Sequence, residues 1–204
     1  MYLNRPLEAL ASPDKARVLT VLCRAGLPLS GRMIAALTGS VSQPTVSRLL
    51  VAFVRSGLVA RVPGGYVINR RHLAYRAVEA LLDSNDEFRR RVGTAVAAWR
   101  DQPVAVVLFG STARGDAGPS SDVDVLIVRP LDVAVDDRQW AEAVATFSEQ
   151  VQLWTGSACN VLEYDAAELE QLTRGGDPLV DSLLRDGVTL AGADLRQITR
   201  AFAG

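Results

Sequence analysis

The chain of 204 residues is poor in several residue types, with two cysteines, one histidine, one lysine and 6% aromatics. Each scarcity excludes something. Cys23 and Cys159 lie far apart and show no metal-ligand spacing, which argues against a disulfide framework or a cysteine zinc cluster and fits a reduced, cytoplasmic protein. A lone histidine, His72, argues against a His-based zinc site and against a Ser-His-Asp triad. No apolar run reaches the ~18 residues of a bilayer span. Asn4, Arg5 and Glu8 stand where a signal peptide would need an apolar core. The expectation is a soluble chain with no membrane partner. At this length a chain buries roughly 70% of its unfolded surface, so no staples are needed.

With one lysine, Lys15, nearly all positive charge is arginine. The formal net charge of -1 conceals a division. Residues 1–82 carry 11 basic against 3 acidic side chains, a balance of +8, while residues 83–204 carry 11 against 20, a balance of -9. A basic half suits a polyanionic partner and an acidic half suits metal binding or solubility. The domain boundary is therefore placed after Leu82, giving domains 1–82 and 83–204.

In the basic half, Ser12-Pro13-Asp14 reads as a helix start, followed by an apolar stripe of Val18, Leu19, Val21 and Leu22 and a stop at Gly26. A second short helix follows Ser30, with Met33, Ile34 and Leu37 expected to face inward. Ser42 caps a third, in which Val46, Leu49, Leu50, Phe53 and Val54 recur at helical spacing. Its other face presents Gln43, Thr45, Ser47 and Arg48, side chains suited to base edges and phosphates. Residues 58–62 and 66–69 read as strands joined by Pro63-Gly64-Gly65.

Three helices and a hairpin in this order resemble bacterial winged helix-turn-helix transcription regulators, a likeness carried by residues 29–62. That resemblance implies a double-stranded DNA partner and a homodimer on paired half-sites. It makes Ser42, Gln43, Thr45, Ser47 and Arg48 the readers and Arg61 a backbone contact from the wing. A small helical docking domain is the alternative, and the +8 balance weighs against it.

In the acidic half, Arg89, Arg90 and Arg91 on a helix over about 87–99 would hold phosphates or form a solvated face. Residues 104–109 form an apolar run of strand length that leads into Gly110-Ser111-Thr112-Ala113-Arg114. Glycine permits a sharp turn, and the serine with the amides behind it can receive a phosphate. After the turn residues Gly118-Pro119-Ser120-Ser121 comes Asp122-Val123-Asp124-Val125-Leu126-Ile127-Val128. Alternation puts Asp122 and Asp124 on one face of a strand, with Val123, Val125 and Ile127 toward the core. Two such carboxylates repel unless a cation sits between them, and Mg²⁺ takes oxygen ligands.

The pair Gly110-Ser111 followed by Ser121-Asp122-Val123-Asp124 resembles the DNA polymerase beta-like nucleotidyltransferase superfamily, particularly its minimal bacterial members. The resemblance implies that Gly110 and Ser111 hold a nucleoside triphosphate, and Arg114, just beyond that turn, is a candidate phosphate partner. It makes Asp122 and Asp124 catalytic Mg²⁺ ligands, and a hydroxyl attacks the alpha-phosphate. Many members carry a third carboxylate on a later strand. The aligned position on the strand over 157–164 is Asn160, which neither carries a full charge nor accepts a proton. Glu163 is expected on the opposite face, and Asp165 at the strand's end is the other acid near enough to consider.

The whole-chain expectation is an α+β protein: an N-terminal winged helix-turn-helix, then a small mixed-sheet nucleotidyltransferase-fold α/β domain. Its leading function is a DNA-binding transcriptional regulator with a Mg²⁺-dependent nucleotide-binding domain. The alternatives are an active antitoxin-like or drug-modifying transferase with a protein acceptor or toxin partner, and a pseudoenzyme nucleotide sensor.

Overall fold

A computed structural model describes residue 3 and residues 5–118 and 121–201. Pro119 and Ser120, expected in a turn, lie outside the described residues. The chain divides into two compact units, Arg5–Ser84 and a second made of Asn85–Gly204 with Met1–Asn4.

The first unit begins with a 3₁₀ turn, Pro6–Ala9, and continues with helices α1 (Pro13–Arg24), α2 (Gly31–Thr38) and α3 (Gln43–Arg55). An antiparallel hairpin of β1 (Val59–Val62) and β2 (Gly65–Ile68) follows, then α4 (Tyr75–Leu82). Ser30 and Ser42 act as N-caps, their hydroxyls accepting from the Met33 and Thr45 amides. Ser12 starts α1 without a side-chain cap bond, so the proline at position 13 sets that helix's first turn.

Val18, Leu22, Ile34, Val46, Leu50 and Val59 are buried together where the three helices and the hairpin meet. Burying side chains of this kind contributes roughly 1.5–3 kcal/mol each. Met33 and Leu37, expected inside, are instead 51% and 57% exposed. A two-turn helix docks on a narrow stripe, filled by the fully buried Ile34 with Ala35 packed alongside. Val54 is likewise exposed, at the end of α3 beyond the last contact row.

One extra tie joins the hairpin to the chain before α2. Leu29 and Tyr66 exchange backbone hydrogen bonds of 3.1 and 2.9 Å, so residue 29 pairs with β2. Gly65 sits at φ +143, and a Cβ there would strike the Leu29 carbonyl. Glycine at the hairpin turn is thus demanded by the neighbouring backbone as well as by the turn.

The second unit contains α5 (Ser84–Ala97), β3 (Ala105–Phe109), α6 (Gly110–Arg114), β4 (Val123–Arg129) and α7 (Arg138–Thr155). It continues with β5 (Cys159–Asp165), α8 (Ala166–Arg174), α9 (Pro178–Asp186), β6 (Val188–Gly192) and α10 (Leu195–Ala201). Only Asp83 separates α4 from α5.

The four strands run in the order β5-β4-β3-β6, with β3 antiparallel to both neighbours and β4 parallel to β5. The sheet is therefore mixed. One face packs on α5 and α7 through Phe88, Val92, Trp140 and Phe147. The other packs through Leu169, Leu183 and Leu195 of α8, α9 and α10. As an inner strand, β4 is buried on both faces: Val125 and Ile127 enter the first layer, Leu126 and Val128 the second. Alternation of polar and apolar residues consequently survives only at its beginning, which leaves Asp124, with Asp122 just before it, at one end of the strand and Arg129 at the other.

Two members of the arginine run on α5 are engaged locally. Arg90 and Arg91 both bond Glu87, at 2.7 Å, and Arg91 also lies 5.9 Å from the Trp154 ring centroid. The hydrogen bonds from Arg90 and then Arg91 hold the Glu87 carboxyl down at about 2.

Candidate active site

The site forms where β3 ends, β4 begins and β5 begins. Phe109, the last residue of β3, pairs with Asp124, so the chain turns into α6 immediately beside that carboxylate. Gly110 makes the turn at φ +69, a left-handed conformation that costs an L-residue roughly 1–2 kcal/mol. Space is the second constraint. A Cβ on Gly110 would collide with Oδ2 of Asp124, so glycine is required by the aspartate as well as by the backbone.

Asp124 is half-buried in β4, and Asp122 is exposed just before the strand. Two bonds hold the approach to β4. The buried Thr112 hydroxyl donates to the Asp122 carbonyl at 3.2 Å, tying α6 to the backbone of the first aspartate. Ser121 closes the preceding loop, its hydroxyl accepting from the Gly118 amide at 2.8 Å. The Val123 amide then donates to the Ala158 carbonyl, which sets the register with the chain entering β5.

That register places Asn160 beside Asp124. The Asn160 amide nitrogen donates to Oδ2 of Asp122 and to Oδ1 of Asp124, each at 3.2 Å. The carboxylates at and just before the start of β4 thus converge on a single amide of β5. Such bonds to charged acceptors relieve the repulsion between the acids.

Neither acid considered as a substitute for the third carboxylate turns toward this point. Glu163 and Asp165 lie on the other face of β5, where Arg129 takes both, at 3.0 and 3.3 Å. The Trp140 indole also donates to Glu163, and Asp165 caps α8 in a reciprocal arrangement with Glu168. Arg129 is 4% exposed and additionally donates to the Val133 carbonyl. Cys159 offers no nucleophile either, because burial pushes its thiol up to about 11.

The donor set suits a hard divalent cation in residue type: two carboxylates held within reach of one point, open to solvent on the Asp122 side. Among the described residues, no three His, Cys, Asp or Glu side chains are placed to hold a metal ion together, there or elsewhere. Any such cation would therefore take its remaining ligands from substrate or water.

Of the residues expected at the site, the structure brings Gly110, Asp122, Asp124 and Asn160 together, with Ser111 next in α6. Arg114 ends α6 and pairs with Asp116 at 3.3 Å, both exposed. Thr112 and Arg129 were missed. A threonine in a glycine-serine turn looks like any polar turn residue, and its target is a main-chain carbonyl, which no side-chain pattern reveals. Arg129 had one visible trace, a charge at the end of an apolar strand.

The expected DNA readers belong to the other unit. Ser42, Gln43, Ser47 and Arg48 are exposed at the start of α3, and Arg61 is exposed on β1. Ser42 also donates to the Thr45 hydroxyl at 3.0 Å, so these two side chains are engaged in capping.

Fold and site together define a mixed-sheet domain with a glycine turn set against an aspartate pair. Residues 89–174 match the family model described as a nucleotidyltransferase domain, a span that includes Gly110, Ser111, Asp122, Asp124 and Asn160. No curated protein matches the chain. Among solved structures, a toxin–antitoxin crystallised with AMP-PNP is 12% identical with a TM-score of 0.39, covering 56% of this chain and 83% of that one. A mutant MntA–HpeT toxin–antitoxin is 13% identical with a TM-score of 0.38, covering 56% of this chain and 80% of that one. No helix among the described residues is long and apolar enough to cross a membrane.

Proposed function

We propose that the second unit binds a nucleoside triphosphate and transfers its nucleotide to a hydroxyl acceptor. The observation that carries this reading is the seating of the Gly110 turn directly against Asp124, with Asp122 tied to the same turn through Thr112. A backbone free of side chain at residue 110 lets phosphate oxygens approach the carboxylate pair closely. Asp122 and Asp124 would hold Mg²⁺, which supplies charge neutralisation at the transferring phosphorus. In the reaction the acceptor oxygen bonds the alpha-phosphorus, the bond to the beta-phosphate bridge breaks, and pyrophosphate leaves. Among the described residues no third His, Cys, Asp or Glu joins the pair, so the acceptor proton passes to water.

Asn160 also favours a second reading, in which the unit binds the triphosphate without transferring it. One experiment decides. The full chain is incubated with Mg²⁺ and each alpha-labelled triphosphate, with cell lysate as acceptor. Label on a protein or small molecule, lost in the Asp122→Ala plus Asp124→Ala variant, is the expected result. Label that survives in that variant overturns the aspartate mechanism, and saturable triphosphate binding without label gives the sensor.

For the first unit we propose a winged helix that binds double-stranded DNA as a homodimer. The exposed start of α3, the exposed Arg61 on the hairpin and the +8 balance of residues 1–82 support it, as does the Leu29–Tyr66 pairing that fixes the hairpin to the helices. Selected genomic fragments should bind in a salt-sensitive way, and Arg48→Ala should weaken that binding about tenfold. Retention of full affinity by the variant would remove α3 from the reading role.

A further inference from the structure

We propose that Asn160 guards the aspartate pair, its amide lowering the affinity of Asp122 and Asp124 for a free divalent cation. The inference rests on the reading of those two residues as cation ligands. Three observations carry it. The parallel pairing of β4 with β5 sets Asn160 directly beside Asp124, so its side chain is placed by the sheet itself and not by a loop. Its nitrogen donates to one oxygen of each aspartate at 3.2 Å, which gives the pair a hydrogen-bonded partner without any ion. The acids that would raise the negative charge at this point, Glu163 and Asp165, are held on the opposite face by Arg129.

The chemistry runs in one direction. A cation entering between the carboxylates must displace two charge-assisted hydrogen bonds, and it meets two negative charges where a carboxylate at position 160 would give three. A free ion is disfavoured on both counts. An ion that arrives on a triphosphate brings its own negative ligands and depends less on position 160.

Mn²⁺ binding to the full chain, followed without nucleotide by the loss of its free-ion electron paramagnetic resonance signal, tests this. The native chain is expected to bind weakly. Asn160→Asp should bind roughly tenfold more tightly or better, because the site gains a charge and loses the donor. Asn160→Ser removes the bridge without adding charge and should bind roughly threefold more tightly than the native chain. Adding Asp124→Asn to Asn160→Asp should abolish the gain. Equal affinity of Asn160→Asp and the native chain, or weaker binding by Asn160→Ser, overturns the proposal, the latter because the amide would then be helping the ion. If circular dichroism shows that three adjacent acids prevent folding, the serine variant alone decides. The transferase reading fails separately: a chain whose Mn²⁺ affinity follows these substitutions but which neither binds nor transfers a nucleotide loses that reading and keeps this one.

Discussion

Alanine at Gly110 is expected to abolish triphosphate binding while leaving the unit folded. Two independent costs meet at this position. The left-handed backbone is unfavourable for alanine by roughly 1–2 kcal/mol. The new methyl would also occupy the place of the Asp124 carboxylate oxygen, so either the turn or the aspartate must move. Displacement of a site group by about 1 Å is enough to lower activity about 100-fold. Equilibrium dialysis with a labelled triphosphate measures the loss, and thermal melting measures the backbone cost. Gly93→Ala is the control, since a Cβ there meets nothing within 4 Å and the residue is helical. It should be neutral or slightly stabilising. Unchanged triphosphate affinity in Gly110→Ala would show that the turn does not seat the phosphates.

Arg129→Met should strongly destabilise the second unit. The guanidinium is almost wholly buried and joins β4 to Glu163 and Asp165 of β5 and to the Val133 carbonyl. Methionine fills much of the volume but leaves the Val133 carbonyl without its donor, and leaves Glu163 and Asp165 without a cation, with only the Trp140 indole and the Glu168 amide as donors. Removing one member of a buried charge network typically costs about 3–5 kcal/mol. For a unit of this size that lowers the melting temperature by roughly 10–20 °C. A fall of less than about 3 °C would mean that the acids find other partners. A triple change of Arg129→Met, Glu163→Gln and Asp165→Asn should recover part of the loss, because the one acid left without its cation, Glu168, is half exposed to solvent.

The sequence made the order of elements and the aspartate strand legible because both rest on local patterns. Capping serines, apolar periodicity and a glycine after an apolar run act within a few residues of themselves. Asn160 could be singled out because the family resemblance marks that position for a third acid; its parallel pairing beside Asp124 is a finding of the structure. What it does there could not be read, since the bonds to Asp122 and Asp124 span 38 and 36 positions. The same limit hid the capture of Glu163 and Asp165, which depends on Arg129 facing away from the site. Met33 and Leu37 failed for a different reason. Periodicity identifies an apolar face but not its width, and a short helix between two partners buries only the middle of that face.

The pairing of β4 with β5 also has a genetic side. Every asparagine codon becomes an aspartate codon by a single change of its first base, and position 160 is fixed by sheet register beside Asp124. No insertion, loop remodelling or compensating substitution is needed to present a carboxylate there. The chain therefore stands one point mutation from a three-acid site.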